Sequence, residues 1–459
     1  MLRLRPYQRD ALKFSLARQF SALYIDMRLG KTRVAIRRVK VSRASFILVA
    51  APYSALSGWA DQLAQEGERA VFSLVGTRTA RLSLLQEAFK QASEVPSRGR
   101  VWCLINKEGH RVIRELANSH FDAVIIDEST FIKNPRADVT KYYTQNFRET
   151  ILRLVLTGTP APEHPLEYLC QLMFLDPSLL PGNYYETRMA WFSLPKDRPD
   201  SHVWFLTRQG KRRLAAVLER VAFFLSRDDV NLGGEKFYQT RKVRLCSKAR
   251  KAYQTVEDEF ILSIDDLNES TIWATQQFIW MRRLTGGSVP VEHDDPIPVD
   301  DAKVRALAEL VTGELAGQRL VVWAVFHTEL DYIYDRLRKQ GVESAIISGD
   351  VPPPQREWAR EQFNAGKIRV LICQPEVFKH GVDLGEADTM VYYSTPCGLE
   401  TRLQSEDRIV RVGKEKSLLI IDLVAEDTID EDILTSLRGK ERRSQMMKRI
   451  VEGAKVRHG

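Results

Sequence analysis

Twice along this chain, short apolar runs alternate with amphipathic stretches, and that alternation restricts the fold more than any other feature. In the first region the runs fall at 21–26, Phe46–Ala51, 101–105, Ala123–Asp127 and Leu152–Thr157. In the second they fall at 320–326, 344–348, 370–374, 389–394 and 418–424. Each run is short, mostly apolar and bounded by turn residues, as strands buried on both faces are. Strands alternating with helical patterns predict parallel sheets, and so an α/β fold with two sheet domains. Between them, 166–225 reads as helical and rich in aromatics, 228–236 as a linker, 248–284 as helical and 286–300 as a loop. The end of the chain reads as a basic helix carrying Arg438, Lys440, Arg442, Arg443, Lys448 and Arg449.

A length of 459 residues allows two to four domains with their own cores. Lysine and arginine outnumber aspartate and glutamate 68 to 60, giving a net charge of +8 that favours a polyanionic partner. The five cysteines are scattered without a CxxC pair, which argues against a zinc site or a disulfide framework and for a reducing, cytoplasm-like compartment. No signal-peptide pattern opens the chain, and no uncharged apolar run is long enough to span a bilayer.

Three strand ends carry chemistry. Gly30-Lys31-Thr32 lies between a strand and a helix, where backbone N–H groups and a helix N-terminus can hold a phosphate. Lys31 is then placed for the β- and γ-phosphates and Thr32 for Mg2+. Ile25 occupies the place of the first glycine in the full phosphate-loop pattern, so this element alone is weak. Asp127 and Glu128 end a later strand, one suited to holding Mg2+ through water and the other to polarising an attacking water. Leu156-Thr157-Gly158-Thr159-Pro160 ends a third, with hydroxyls able to sense a γ-phosphate. In the second region Arg408 and Arg411 are three residues apart, hence expected on one helical face as cations for a γ-phosphate.

In this order the motifs resemble helicase superfamily two, and within it the Swi/Snf-type DNA translocases. Leu4-Arg5-Pro6-Tyr7-Gln8 resembles the family's opening motif, residues 26–32 its nucleotide-binding motif, and Ala51-Pro52-Tyr53-Ser54 with Trp59 its first DNA-contact motif. Asn106-Lys107-Glu108, Asp127-Glu128-Ser129-Thr130 with Lys133-Asn134, and residues 156–160 follow in sequence. Residues 224–227, Ala252-Tyr253, 280–284 and 301–303 resemble the segments joining the family's two halves. Ile347-Ser348-Gly349-Asp350, with Arg356 and Phe363, then Gly381-Val382-Asp383-Leu384 and Gln404–Gly413 are similar to its closing motifs.

The resemblance implies two tandem RecA-like parallel-sheet domains with helical insertions. One would span 1–230 with an insertion at about 166–225. A linker and second helical protrusion would fill 231–300, and the other domain 301–459 with its basic C-terminal helix. It implies a DNA-dependent ATPase using ATP and Mg2+ and moving along duplex DNA, held mainly through phosphates. The implied catalytic residues are Lys31, Asp127, Glu128, Arg408 and Arg411. Nucleotide contacts would come from Gln8, Gly30, Lys31, Thr32, Gly381, Asp383 and Gln404, and Mg2+ contacts from Thr32 and Asp127. Nucleic-acid contacts would come from Ser54, Trp59, Asn106, Lys133, Thr157, Ser348 and Gly349. A monomer without membrane attachment, in the cytoplasm of a bacterium or phage-infected host, is the matching expectation.

The sequence departs from the family in three places. Arg28 stands where glycine is usual and would be strained at positive φ. Ser129 and Thr130 replace the usual Ala-His or Ala-Gln, altering the contact to the third motif, and Asp383 replaces Asn. Two rival readings stay open: a helicase that separates or anneals strands, and an ATP-gated nucleic-acid-binding module with little turnover. RNA as the track also stays open, since phosphate contacts discriminate it poorly.

Overall fold

The computed structural model describes residues 3–94, 99–195, 204–226, 228–230, 236–265, 271–291, 294–378, 384, 386–409 and 417–439. The chain divides into two compact units, Met1–Asn231 and Leu232–Gly459.

Unit 1 runs α1 (Pro6–Leu16), β1 (Phe20–Ile25), α2 (Lys31–Val41), β2 (Phe46–Ala51), α3 (Leu56–Gln65), β3 (Ala70–Leu74), α4 (Arg78–Glu94), β4 (Val101–Asn106), β5 (Ala123–Asp127), α5 (Asp138–Asn146), β6 (Leu152–Thr157), α6 (Glu167–Leu175), α7 (Tyr184–Trp191), β7 (Phe192–Ser193), β8 (Phe205–Leu206), α8 (Arg208–Val221) and β9 (Ala222–Leu225). Its seven-stranded sheet has the order β3-β4-β2-β5-β6-β1-β9, and every neighbouring pair is parallel. Parallel strands return through crossovers that cover both faces, which is why β1, β2, β5 and β6 are apolar almost throughout.

Unit 2 runs β10 (Lys236–Val243), α9 (Ser247–Asp265), α10 (Thr271–Gly286), β11 (Ser288–Val291), β12 (Asp294–Pro298), α11 (Ala302–Thr312), β13 (Leu320–Trp323), α12 (His327–Lys339), β14 (Ser344–Ile347), α13 (Pro353–Asn364), β15 (Val370–Cys373), β16 (Thr389–Tyr392), α14 (Leu399–Glu406), β17 (Leu418–Ala425) and α15 (Ile429–Arg438). Its six-stranded sheet, also parallel throughout, has the order β10-β17-β16-β13-β15-β14. Successive β13 side chains point to opposite faces. Leu320 and Val322 join a core with α11 and α12, while Val321 and Trp323 join Ala359 and Phe363 of α13. The pair α9–α10 packs on α15 through Tyr253, Phe260, Met281, Ile429 and Ile433.

The α/β class with two parallel sheets is as expected, and several assignments within it change. Residues 222–225, read as helical, form edge strand β9. Lys236, read as the end of a linker, opens edge strand β10 of the second sheet. The loop read at 286–300 contains the antiparallel pair β11–β12. Residues 440–459, which hold most of the expected basic helix, lie outside the described residues.

Candidate nucleotide-binding site

Ligands of parallel α/β sheets bind beyond the carboxyl ends of the strands, and the first-unit motifs gather there. The sheet order places β6 between β5 and β1. Thr157, ending β6, therefore lies between the carboxylates ending β5 and the loop leaving β1. Gly158 is packed tightly enough that a Cβ would come within 3.3 Å of the Met27 backbone nitrogen.

The loop from β1 to α2 turns through two left-handed residues, Arg28 at φ +66° and Gly30 at φ +83°. Glycine adopts that region freely. Arginine pays roughly 1–2 kcal/mol, so the strain expected at Arg28 is present. A Cβ on Gly30 would sit 2.3 Å from Gln8 Nε2. Gln8 is buried behind the loop, donating from Nε2 to Leu29 O (2.9 Å) and accepting at Oε1 from Arg5 N (3.0 Å). One further N–H and one lone pair remain for a base edge. No side chain caps α2, whose N-terminus follows directly on the glycine turn.

Lys31, 8% exposed, donates to Glu128 Oε1 at 2.9 Å, and Thr157 Oγ1 donates to Glu128 Oε2 at 3.3 Å. Glu128 itself has φ +50°, an unusual backbone for a glutamate that turns its carboxylate toward Lys31. Asp127 accepts from Glu128 N (3.0 Å) and from the Trp59 indole (2.8 Å). Burial pushes the Asp127 carboxyl upward; Lys31 opposes that, Glu128 reinforces it, and the Trp59 N–H opposes it. The half-buried Thr32 hydroxyl and the Asp127 carboxylate suit a divalent cation carried in with a triphosphate. Among the described residues no group of three His, Cys, Asp or Glu offers a self-sufficient metal cage.

Several expected nucleic-acid contacts stand elsewhere. Trp59 is 1% exposed and its indole serves Asp127, so it presents no face to a strand. Thr157 is fully buried between Glu128 and the backbone N of Thr159 (3.1 Å), on the carboxylate side. Lys133 spends its charge on Glu167 at 2.9 Å. Asn106 is tied to Arg81 (2.8 Å) and Glu108 (3.0 Å). Ser348 is buried, whereas Ser54, in the turn after β2, and Gly349, after β14, are exposed.

In unit 2, Gln404 is buried on α14 and donates to Glu400 at 3.1 Å. Arg408 is not on that helix: α14 ends at Glu406, and Arg408 lies in the following turn, its carbonyl accepting from Leu384 N at 3.0 Å. Arg408 therefore stands beyond the face of α14. Arg411, Gly381 and Asp383 lie outside the described residues. The sequence reading missed Gln171 of α6, fully buried and bonded to three of these segments.

A parallel sheet whose carboxyl edge joins a glycine-turned loop, a buried lysine and an Asp-Glu pair defines a nucleoside-triphosphate-binding domain. Residues 7–285 match the SNF2-related domain and residues 302–413 the helicase conserved C-terminal domain. The chain belongs to the SNF2-related family. The human SWI/SNF-related matrix-associated actin-dependent regulator of chromatin subfamily A member 1 is 25% identical over 412 residues, covering 84% of this chain and 37% of that protein. An uncharacterized ATP-dependent helicase of Mycoplasma pneumoniae is 24% identical over 327 residues, covering 70% and 30%. The chain thus spans about a third of the length of these curated relatives. The Pyrococcus furiosus Hef helicase domain shares the fold, with TM-score 0.58, 14% identity and coverage of 95% of this chain and 98% of that one. No described helix is long and apolar enough to cross a membrane.

Proposed function

We propose that the chain is a DNA-dependent ATPase that couples ATP hydrolysis to translocation along duplex DNA. The observation that carries this is the convergence of Lys31, Asp127, Glu128 and Thr157 at one sheet edge, with Lys31 Nζ 2.9 Å from Glu128. In this reading Lys31 exchanges its carboxylate partner for the triphosphate, which frees Glu128 to orient water and accept its proton. Thr32 and Asp127 would hold Mg2+, whose charge would offset that of the phosphates. The α2 N–H groups cradle the phosphates, Gln8 reads the base, and Gly381, Asp383 and Gln404 add nucleotide contacts. Arg408 and Arg411 supply cations for the charge that develops during transfer.

DNA phosphates are the partner for the exposed turns at Ser54 and Gly349, so binding should weaken steeply with salt. The test is ATP turnover without nucleic acid and with single-stranded DNA, duplex DNA and RNA, with Lys31→Ala as control. Strong stimulation by duplex without strand displacement is expected. Preference for single strands, or displacement in the same samples, would favour a helicase. Absence of turnover in every sample would favour the ATP-gated binding module.

Trp59 allows a narrower check. Trp59→Phe removes the N–H that orients Asp127 and also shrinks a fully buried side chain. Loss of a partner of this kind costs metal affinity about tenfold or more. The Mg2+ concentration for half-maximal turnover should rise by that factor, with a fall in melting temperature from the cavity left beside Asp127. An unchanged Mg2+ requirement would show that Asp127 is held in place without the indole.

A further inference from the structure

We propose that Gln171 is a positioning residue that ties the carboxylate turn after β5 to the loop after β6, and so passes the state of the nucleotide site toward the DNA-binding surface. The inference rests on the reading of the chain as a DNA-dependent ATPase.

Gln171 sits inside α6 among Leu169, Cys170 and Leu172, and it is fully buried. An apolar side chain of similar size would fill the same space without the desolvation cost of an amide. The amide is instead fully used. Its Oε1 accepts from Ser129 Oγ at 2.7 Å and from Tyr24 OH at 3.3 Å. Its Nε2 donates to Pro160 O at 2.6 Å and to Glu167 O at 2.9 Å. Two acceptor sites and two donors are all that a glutamine has.

The partners are not arbitrary core atoms. Tyr24 lies one residue before the end of the strand that feeds the phosphate loop, Ser129 follows Glu128, and Pro160 ends the Thr157–Pro160 loop. Together with the bond from Thr157 to Glu128 at 3.3 Å, the Ser129–Gln171–Pro160 bridge closes a ring between the two loops. The same helix holds Lys133 through Glu167 at 2.9 Å, so the segment from Ser129 to Lys133 is fastened to α6 at both ends. Movement of the carboxylate turn therefore reaches Pro160 through one side chain.

The experiment compares wild type with Gln171→Leu, Ser129→Ala and the double variant. The readouts are affinity for a fluorescent ATP analogue, turnover without DNA, turnover with saturating duplex DNA, and melting temperature. The ratio of DNA-stimulated to basal turnover should fall about fivefold or more in each single variant. Nucleotide affinity and basal turnover should stay within about twofold. The double variant should be no worse than the more affected single one, because both cut the same bridge. An unchanged ratio, additive losses, or a parallel fall in all readouts would overturn the proposal. Ser129→Ala, which removes one bond and leaves Gln171 in place, keeps the test decisive if Gln171→Leu does not fold. Wild type unstimulated by any nucleic acid would instead sink the DNA-dependent reading itself.

Discussion

Glu128→Gln is expected to lower ATP turnover by roughly 10²–10⁴-fold, the range attached to a positioned general base, while leaving nucleotide binding intact. The side chains are isosteric, so the left-handed turn at Glu128 and the bond from Thr157 Oγ1 can persist. What disappears is the negative charge 2.9 Å from Lys31 Nζ. That loss acts in two directions. Water is no longer activated, and Lys31 no longer has a carboxylate competing with the triphosphate for its ammonium group. ATP affinity should therefore be equal to or tighter than that of wild type. A fluorescent ATP analogue and single-turnover hydrolysis measured on the same preparation separate the two effects. Turnover within about tenfold of wild type would remove Glu128 from the role of base. Weakened nucleotide binding would show that the pair with Lys31 preorganises the loop rather than competing with it.

The sequence revealed the interior of the two sheets far better than their rims. The bounds of β2, β5 and β6 are those read from the apolar runs, because strands covered on both faces are apolar almost throughout, with Arg153 the one charge inside β6. The three strands missed from the two large sheets, β3, β9 and β10, all lie at sheet edges. β10, Lys-Phe-Tyr-Gln-Thr-Arg-Lys-Val, alternates among polar residues and gives no apolar run. At the site, Gly30, Lys31, Asp127 and Glu128 were legible because phosphate and carboxylate chemistry is concentrated in short local patterns at strand ends. Trp59 and Gln171 were not, because their roles come from contacts with residues 68 and 42 positions away that only the folded sheet creates. Arg408 shows what a spacing argument depends on: three-residue spacing is meaningful only while the helix continues, and α14 stops at Glu406.

The helix that stops there is held by charges rather than by apolar packing alone, and this leads to the largest stability effect expected in the second unit. Arg402 of α14 reaches Asp422 Oδ1 at 2.6 Å and Glu406 Oε1 at 2.7 Å, and its guanidinium lies 3.5 Å from the centre of the Tyr392 ring. Glu406 also accepts from Lys236 Nζ at 2.9 Å and Tyr238 OH at 2.8 Å, so β10, α14, β16 and β17 share one buried network. Burial works against the Arg402 charge, but Tyr392, Asp422 and Glu406 outweigh it and hold the arginine firmly protonated. Removing one partner of a buried pair leaves the other charged and desolvated, at a cost of about 3–5 kcal/mol. Asp422→Ala should lower stability by that amount in denaturant unfolding. A joint replacement of Arg402 and Asp422 by apolar residues of similar volume should recover much of the loss. Burial raises the Glu406 carboxyl, but Lys236 and Arg402 more than reverse this and leave it below its usual value. Its contribution is therefore complete above the unfolded carboxylate range and is lost as pH falls through the depressed folded value. Because α14 leads directly into the turn bearing Arg408, Asp422→Ala should reduce DNA-stimulated turnover even at temperatures where the chain stays folded. A stability loss under about 1 kcal/mol would mean that the network is open to solvent screening and does not fix this turn.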